Sequence, residues 1–206
     1  MTGAPLPRGE SRHIVPSYVE RTSYGVKEMT PYNKLFEERI VFLGSPLDDT
    51  AANDVTAQLL ALEGMDPDRP VSLYINSPGG SLTAMTAVLD TMAYIRPRVE
   101  TTCVGQAASA AAVVLAAGAP GTRAALPGAR VLLREPAVEP VRGSSSDLAI
   151  QAAEILRLRD RAEETIAAAT GRDPADVRRD LRRDRYFTAA EALDYGLVDV
   201  VLAPRG

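Results

Sequence analysis

Two short motifs in this 206-residue chain set small residues between a strand and a helix in a way that suits acyl chemistry. The first is Pro78-Gly79-Gly80-Ser81. A glycine pair at such a turn lets backbone N–H groups face a ligand or a developing oxyanion at the helix start. A tight turn with no ligand has the same composition. The second is Val104-Gly105-Gln106-Ala107-Ala108-Ser109. It puts a serine in the first turn of an alanine-rich helix, where the dipole favours developing negative charge. Tight packing of a small residue is the plain alternative. A serine nucleophile needs a general base, usually an imidazole. The only histidine is His13, far upstream in a proline-punctuated segment, and the only lysines are Lys27 and Lys34. A third stretch, Arg178 to Arg185, contains Asp180 and Asp184. An aspartate there can orient an imidazole, but the run reads by itself as a solvated charged face.

These motifs depend on the elements around them. Residues 1–31 hold Pro5, Pro7, Pro16 and Pro31 and read as an arm. Residues 32–206 read as a single domain. Arg39–Leu43 is expected as a buried strand, and Asp48 or Asp49 as the cap of a helix bearing Val55, Leu59 and Leu62. Val71–Asn76 is the next strand. A helix follows from Ser81 to about Ile95, which Pro97 stops. The pattern then repeats: Val99–Val104 as a strand, a turn at Gly105, and a buried helix over Ala107–Ala117. Arg123–Leu126 and Arg130–Leu133 are short strands, and Glu135–Ser146 is a loop. Asp147–Thr170 is a long amphipathic helix ended by Gly171. Asp173 and Pro174 open a short helix. Thr188 and Glu191 form a capping box for the last helix, and Val198–Leu202 is the final strand. Strands alternating with helices predict an α/β layered fold with a mainly parallel sheet.

Composition narrows the function classes. The chain is 46% apolar and 24% charged, with net charge −4, which does not suit a nucleic-acid binder. One cysteine, Cys103, excludes an internal disulfide framework and fits a reducing compartment. No apolar run reaches membrane-span length, and the first residues lack signal-peptide order. The expected location is the cytoplasm.

In order, the segments KLFEERIVFLG (34–44), LYINSPGGSLTA (73–84), DTMAYIRP (90–97), VGQAASAAA (104–112), ALPGARVLL (125–133), AEILRLRDR (153–161) and YGLVD (195–199) resemble ClpP, the proteolytic subunit family of the ATP-dependent Clp protease. The resemblance implies stacked ββα units shared with the crotonases and a handle over about residues 135–170 containing a long helix. It implies heptameric rings that stack in pairs around a proteolytic chamber, built from this chain or with paralogues. Unfolded polypeptides are the implied substrates, a Clp AAA+ ATPase the implied partner, and no cofactor or metal is needed.

By the same resemblance, Ser109 matches the nucleophile, Asp184 the triad aspartate, and Gly80 and Ala110 the oxyanion-hole positions. Tyr74 and Tyr94 match the surface that docks the ATPase, where Ala124 replaces a frequent aromatic. Arg182 and Arg183 match the ring-to-ring contact, and Arg182 stands where an acid is common. The family's histidine motif is Leu133-Arg134-Glu135-Pro136 here, so Arg134 takes the place of the base. Arginine has no acceptor nitrogen and stays protonated. It is expected to pair with Asp184 and fill the site, while Glu135 points to the opposite face of the extended segment. The loop that follows is about one residue longer than usual and carries Pro140. The expected function is a subunit with impaired or no peptidase activity and a structural or regulatory role in a mixed assembly. The rival readings are a serine peptidase with a non-standard base, a crotonase-type acyl-CoA enzyme, and a Ser–Lys peptidase, which would need a lysine beyond Lys34.

Overall fold

The computed structural model describes residues 16–22, 25–135 and 143–204. His13, Pro140 and most of the loop after Glu135 lie outside the described residues. The chain divides into two units at Glu38 and Arg39. The first holds β1 (Tyr18–Thr22) and β2 (Gly25–Met29), antiparallel with Tyr18 opposite Met29. Helix α1 (Pro31–Glu37) follows, capped by a Thr30–Asn33 box. These elements are not legible in the proline-broken pattern of residues 1–31.

The second unit is built on a sheet of β3 (Ile40–Leu43), β4 (Val71–Ser77), β5 (Val99–Ala108), β6 (Ala124–Ala125) and β9 (Val200–Val201), in that spatial order and all parallel. The far half of β5 leaves β6 and pairs in parallel with β7 (Arg130–Leu133), which pairs antiparallel with β8 (Arg185–Thr188). The helices are α2 (Asp49–Met65), α3 (Leu82–Tyr94), α4 (Ala110–Ala116), α5 (Ser145–Thr170), α6 (Pro174–Leu181) and α7 (Ala189–Tyr195). The sheet is thus mainly parallel and covered by helices, as the alternation of elements predicts.

Local signals set most boundaries. Asp48 caps α2 by accepting from Ala51 N at 2.8 Å, and Ser81 caps α3. The Thr188–Glu191 box caps α7, and Gly171 and Gly196 end α5 and α7 in the left-handed region. All seven residues of α4 are buried, as an alanine-rich helix inside a sheet layer requires. Arg123 ties β6 to the C-terminal strand: its Nε donates to Asp199 Oδ2 at 2.8 Å, and both side chains are largely buried.

Three expectations need correction. Gly105 does not turn the chain, because β5 runs on to Ala108. Glycine is required there because a Cβ would lie 2.5 Å from Asn76 Oδ1. That oxygen accepts from Gln106 N at 3.2 Å, just where the β4–β5 register shifts. Consequently Ser109 is not in the first turn of a helix. It is the N-cap of α4, one residue past the strand. The charge run is also not only a solvated face, since Arg185 opens β8 against β7.

Candidate active site

Ser109 stands at the junction of β5 and α4 with φ 52° and ψ −121°. Positive φ is rare for a residue with a Cβ and costs on the order of 1–3 kcal/mol. Strand–turn–helix junctions of this strained kind present nucleophiles in hydrolases. The surrounding sheet holds the conformation. Ser109 N donates to Leu132 O at 2.8 Å, and Ser109 O accepts from Ala112 N at 2.9 Å. The Ser109 hydroxyl does not cap α4. It makes no hydrogen bond with a described residue, although Ser109 is 4% exposed. Ala110 is the first residue of α4, so helix geometry leaves its N–H without an intrahelical acceptor.

The glycine pair packs against this serine. Gly79 has φ 86°, and a Cβ there would sit 2.3 Å from Ala108 O and 2.9 Å from Ser109 Cβ. Gly80 is held between two hydrogen bonds to Leu47: Leu47 N donates to Gly79 O at 3.0 Å, and Ser81 N donates to Leu47 O at 2.8 Å. Neither uses the Gly80 N–H. A Cβ on Gly80 would lie 2.2 Å from Leu47 O. Close approach, on both sides, is the reason for two glycines.

Sheet register brings the remaining residues in. Ala108 pairs with Leu132, and two residues further along that neighbouring segment stands Arg134. The antiparallel pairing of β7 with β8 ends at Leu133 opposite Arg185. One step further, Arg134 faces Asp184. Arg134 Nη1 is 4.0 Å from Asp184 Oδ2, with both side chains about half exposed. The expected pair therefore forms, but only at ion-pair distance and without a hydrogen bond. Solvent-exposed pairs of this kind contribute little. Glu135 is not on the opposite face as expected: it lines the same cavity as Arg134. Its N donates to Leu181 O at 2.8 Å and its Oε1 accepts from Arg159 Nη1 at 2.7 Å.

A charged cluster behind Arg134 is not foreseen in the sequence. Glu163 is 2% exposed, and Arg178 Nε donates to its Oε2 at 2.6 Å. Arg159 Nε lies 3.4 Å from its Oε1. Hydrogen bonding to Glu163 holds the Arg178 guanidinium more firmly protonated than usual. The available signal is Glu163 beside Leu158, Ala162 and Ile166, which place it next to the buried stripe of α5.

The other singled-out positions lie elsewhere. Tyr74 belongs to a row across the sheet with Phe42, Thr102 and Ala124. Ala124 is 4% exposed and adds only a methyl group. Tyr94 ends α3 and is 79% exposed. Arg182 caps the end of α6 and Arg183 follows it, both exposed. Among the described residues, no three His, Cys, Asp or Glu side chains gather as metal ligands would. No described helix is long and apolar enough to cross a membrane.

A strained serine after β5 is backed by a glycine pair, and on the neighbouring β7–β8 register Arg134 is faced by Asp184. Comparison with known proteins decides the lineage. The family model for Clp protease matches residues 23–205. The chain belongs to the Clp protease family. It is 60% identical over 191 residues to the ATP-dependent Clp protease proteolytic subunit 1 of Corynebacterium efficiens, covering 93% of this chain and 92% of that one. It is 62% identical over 192 residues to the proteolytic subunit 2 of Corynebacterium jeikeium, covering 93% and 92%. With the proteolytic subunit 2 of Streptomyces coelicolor it shares 58% over 199 residues, covering 97% and 91%. The guanidinium of Arg134, beside Asp184, has no lone pair with which to accept a proton.

Proposed function

We propose that this chain is a ClpP-like subunit with little or no peptidase activity of its own, serving a structural or regulatory role in a mixed Clp assembly beside an active paralogue. The observation that carries this reading is Arg134 opposite Asp184, next to an otherwise complete serine turn. Ser109 would be the nucleophile position, Gly80 and Ala110 the oxyanion donors, and Asp184 the orienting carboxylate, left without an imidazole to orient. Loss of the base from a serine triad lowers turnover by about 10⁶, leaving roughly 10³-fold over water from binding and the oxyanion hole.

Assembly into heptameric rings in the cytoplasm, with unfolded polypeptide passing through, fits the relatives, whose names number them as proteolytic subunits 1 and 2. The first turns of α5 support a ring-to-ring role for this handle. They expose Leu148, Ile150 and Leu156, which no described element covers. The Tyr74–Ala124 row and exposed Tyr94 support an ATPase-docking surface with a shallow floor.

The deciding experiment purifies complexes through a tag on this chain, weighs them intact, and assays this chain alone on fluorogenic peptides. Mixed complexes and an inactive lone chain are expected. Hydrolysis by the lone chain that disappears in Ser109→Ala would show that another residue supplies the base.

A further inference from the structure

Among the described residues, two buried side-chain nitrogens lack any hydrogen-bond acceptor: Arg134 Nε and Arg159 Nε. They belong to segments 25 positions apart, yet both side chains line the same cavity. That cavity measures about 120 Å³ and lies between the end of β7, α5 and α6. It holds several water molecules or one small oxyanion.

Its charged wall consists of Arg134, Arg159, Arg178 and Arg182 against Glu135 and Glu163. Guanidinium groups thus outnumber carboxylates by two. The carboxylates are already engaged. Glu163 takes Arg178 on one oxygen and stands 3.4 Å from Arg159 Nε on the other, outside hydrogen-bonding geometry. Glu135 Oε1 accepts from Arg159 Nη1. Two further acids act outside the lining. Asp160 Oδ1 accepts from Arg178 Nη2 at 3.0 Å, and Asp184 stays 4.0 Å from Arg134. Arg182 makes no ion pair with a described residue. A buried donor without an acceptor costs about 1–3 kcal/mol. Water relieves that cost, and with Asp160 and Asp184 counted the four guanidinium groups meet four carboxylates, so the two orphaned donors are what point to a ligand. A small oxyanion can accept from both N–H groups at once, and guanidinium groups bind carboxylate and phosphate oxygens best.

We propose that this cavity is a binding site for a compact oxyanion, a carboxylate or phosphate group, received between Arg134 and Arg159. The anion would satisfy both orphaned N–H groups and draw Arg134 from Asp184 toward α5. The site stands whether or not the chain hydrolyses peptides, because Ser109 takes no part in it.

Calorimetric titration of the full-length protein tests this with sodium phosphate, sodium acetate, and a short peptide bearing either a free or an amidated C-terminus. Sodium chloride at equal ionic strength is the control. Saturable binding near one per chain is expected for at least one oxyanion and not for chloride. Arg159→Lys keeps the charge but removes the Nε donor and should weaken binding about tenfold or more. Ala162→Leu fills the floor of the cavity, keeps every charge, and should abolish binding. Circular dichroism checks that each variant is folded, and Arg134→Gln serves if Ala162→Leu is not. Binding of phosphate or acetate would identify a free ion. Binding of the acid peptide alone would identify a chain end. No saturable binding by any oxyanion, or undiminished binding in the folded variants, would overturn the proposal and leave a water-filled cavity.

Discussion

Arg134 and Asp184 face each other one rung beyond the last β7–β8 pair, yet their nearest charged atoms are 4.0 Å apart. A guanidinium there has no lone pair to accept a proton and does not close tightly on the aspartate.

Arg134→His should therefore raise peptide hydrolysis by the lone chain at least 100-fold, since general-base catalysis contributes about 10²–10⁴. The gain should vanish in Arg134→His combined with Ser109→Ala. Initial rates on a fluorogenic peptide, with assembly checked by sedimentation, measure it. No gain in an assembled double ring would place the defect beyond this residue.

Gly79→Ala should lower stability by roughly 2–4 kcal/mol, from a left-handed φ and a Cβ 2.3 Å from Ala108 O. The Tm of a domain this size should fall by about 5–12 °C. Gly121 provides the comparison: it also has positive φ, but a Cβ added there would meet no atom within 4 Å. Gly121→Ala should cost clearly less, and equal losses would refute the close-approach argument.

Asp199 makes stability depend on acid. Hydrogen bonding from Arg123 holds its carboxyl below the usual carboxylate range. Its folded-state value is thus lower than its unfolded one. The pair's contribution is present above the ordinary range near pH 4 and is lost as pH falls toward the depressed value. Denaturation midpoints should drop between about pH 5 and pH 3. Asp199→Asn should flatten that slope. It should also cost about 3 kcal/mol at pH 7, because the buried Arg123 loses its counter-charge. An unchanged slope in Asp199→Asn would assign the acid sensitivity to other carboxylates.

Rings of this chain should stack poorly on one another and better on a ring offering acids. Arg182 and Arg183 are adjacent and exposed, and a two-fold contact through this surface would bring the same arginine pair from both sides. Like charges repel there, and salt screens the repulsion. Sedimentation at low and high salt should show double rings of the lone chain only at high salt, with Arg182→Glu restoring them at low salt. A stable low-salt double ring that Arg182→Glu weakens would contradict this.

Much of the fold is legible in the sequence because its signals are local. Asp48, Ser81 and Thr188 with Glu191 cap their helices within three residues of chain, and apolar periodicity marks the faces of α2, α3 and α5. The two small-residue motifs, and Arg134 in the segment that resembles the family's histidine motif, can likewise be read in place. Tertiary structure alone decides the rest. Gly105 reads as a turn until Asn76, 29 positions earlier, arrives against it. Arg185 reads as the end of a solvated charge run until β7 supplies a partner strand. Glu163 is buried because Arg178 closes over it from α6, a partner 15 positions away that helix periodicity does not name. Arg134 and Asp184 are 50 positions apart, and only strand register sets them on one rung. A strand's alternation gives its faces but not its partner, so pairing, and every charge relationship that follows from it, appears only when distant segments meet.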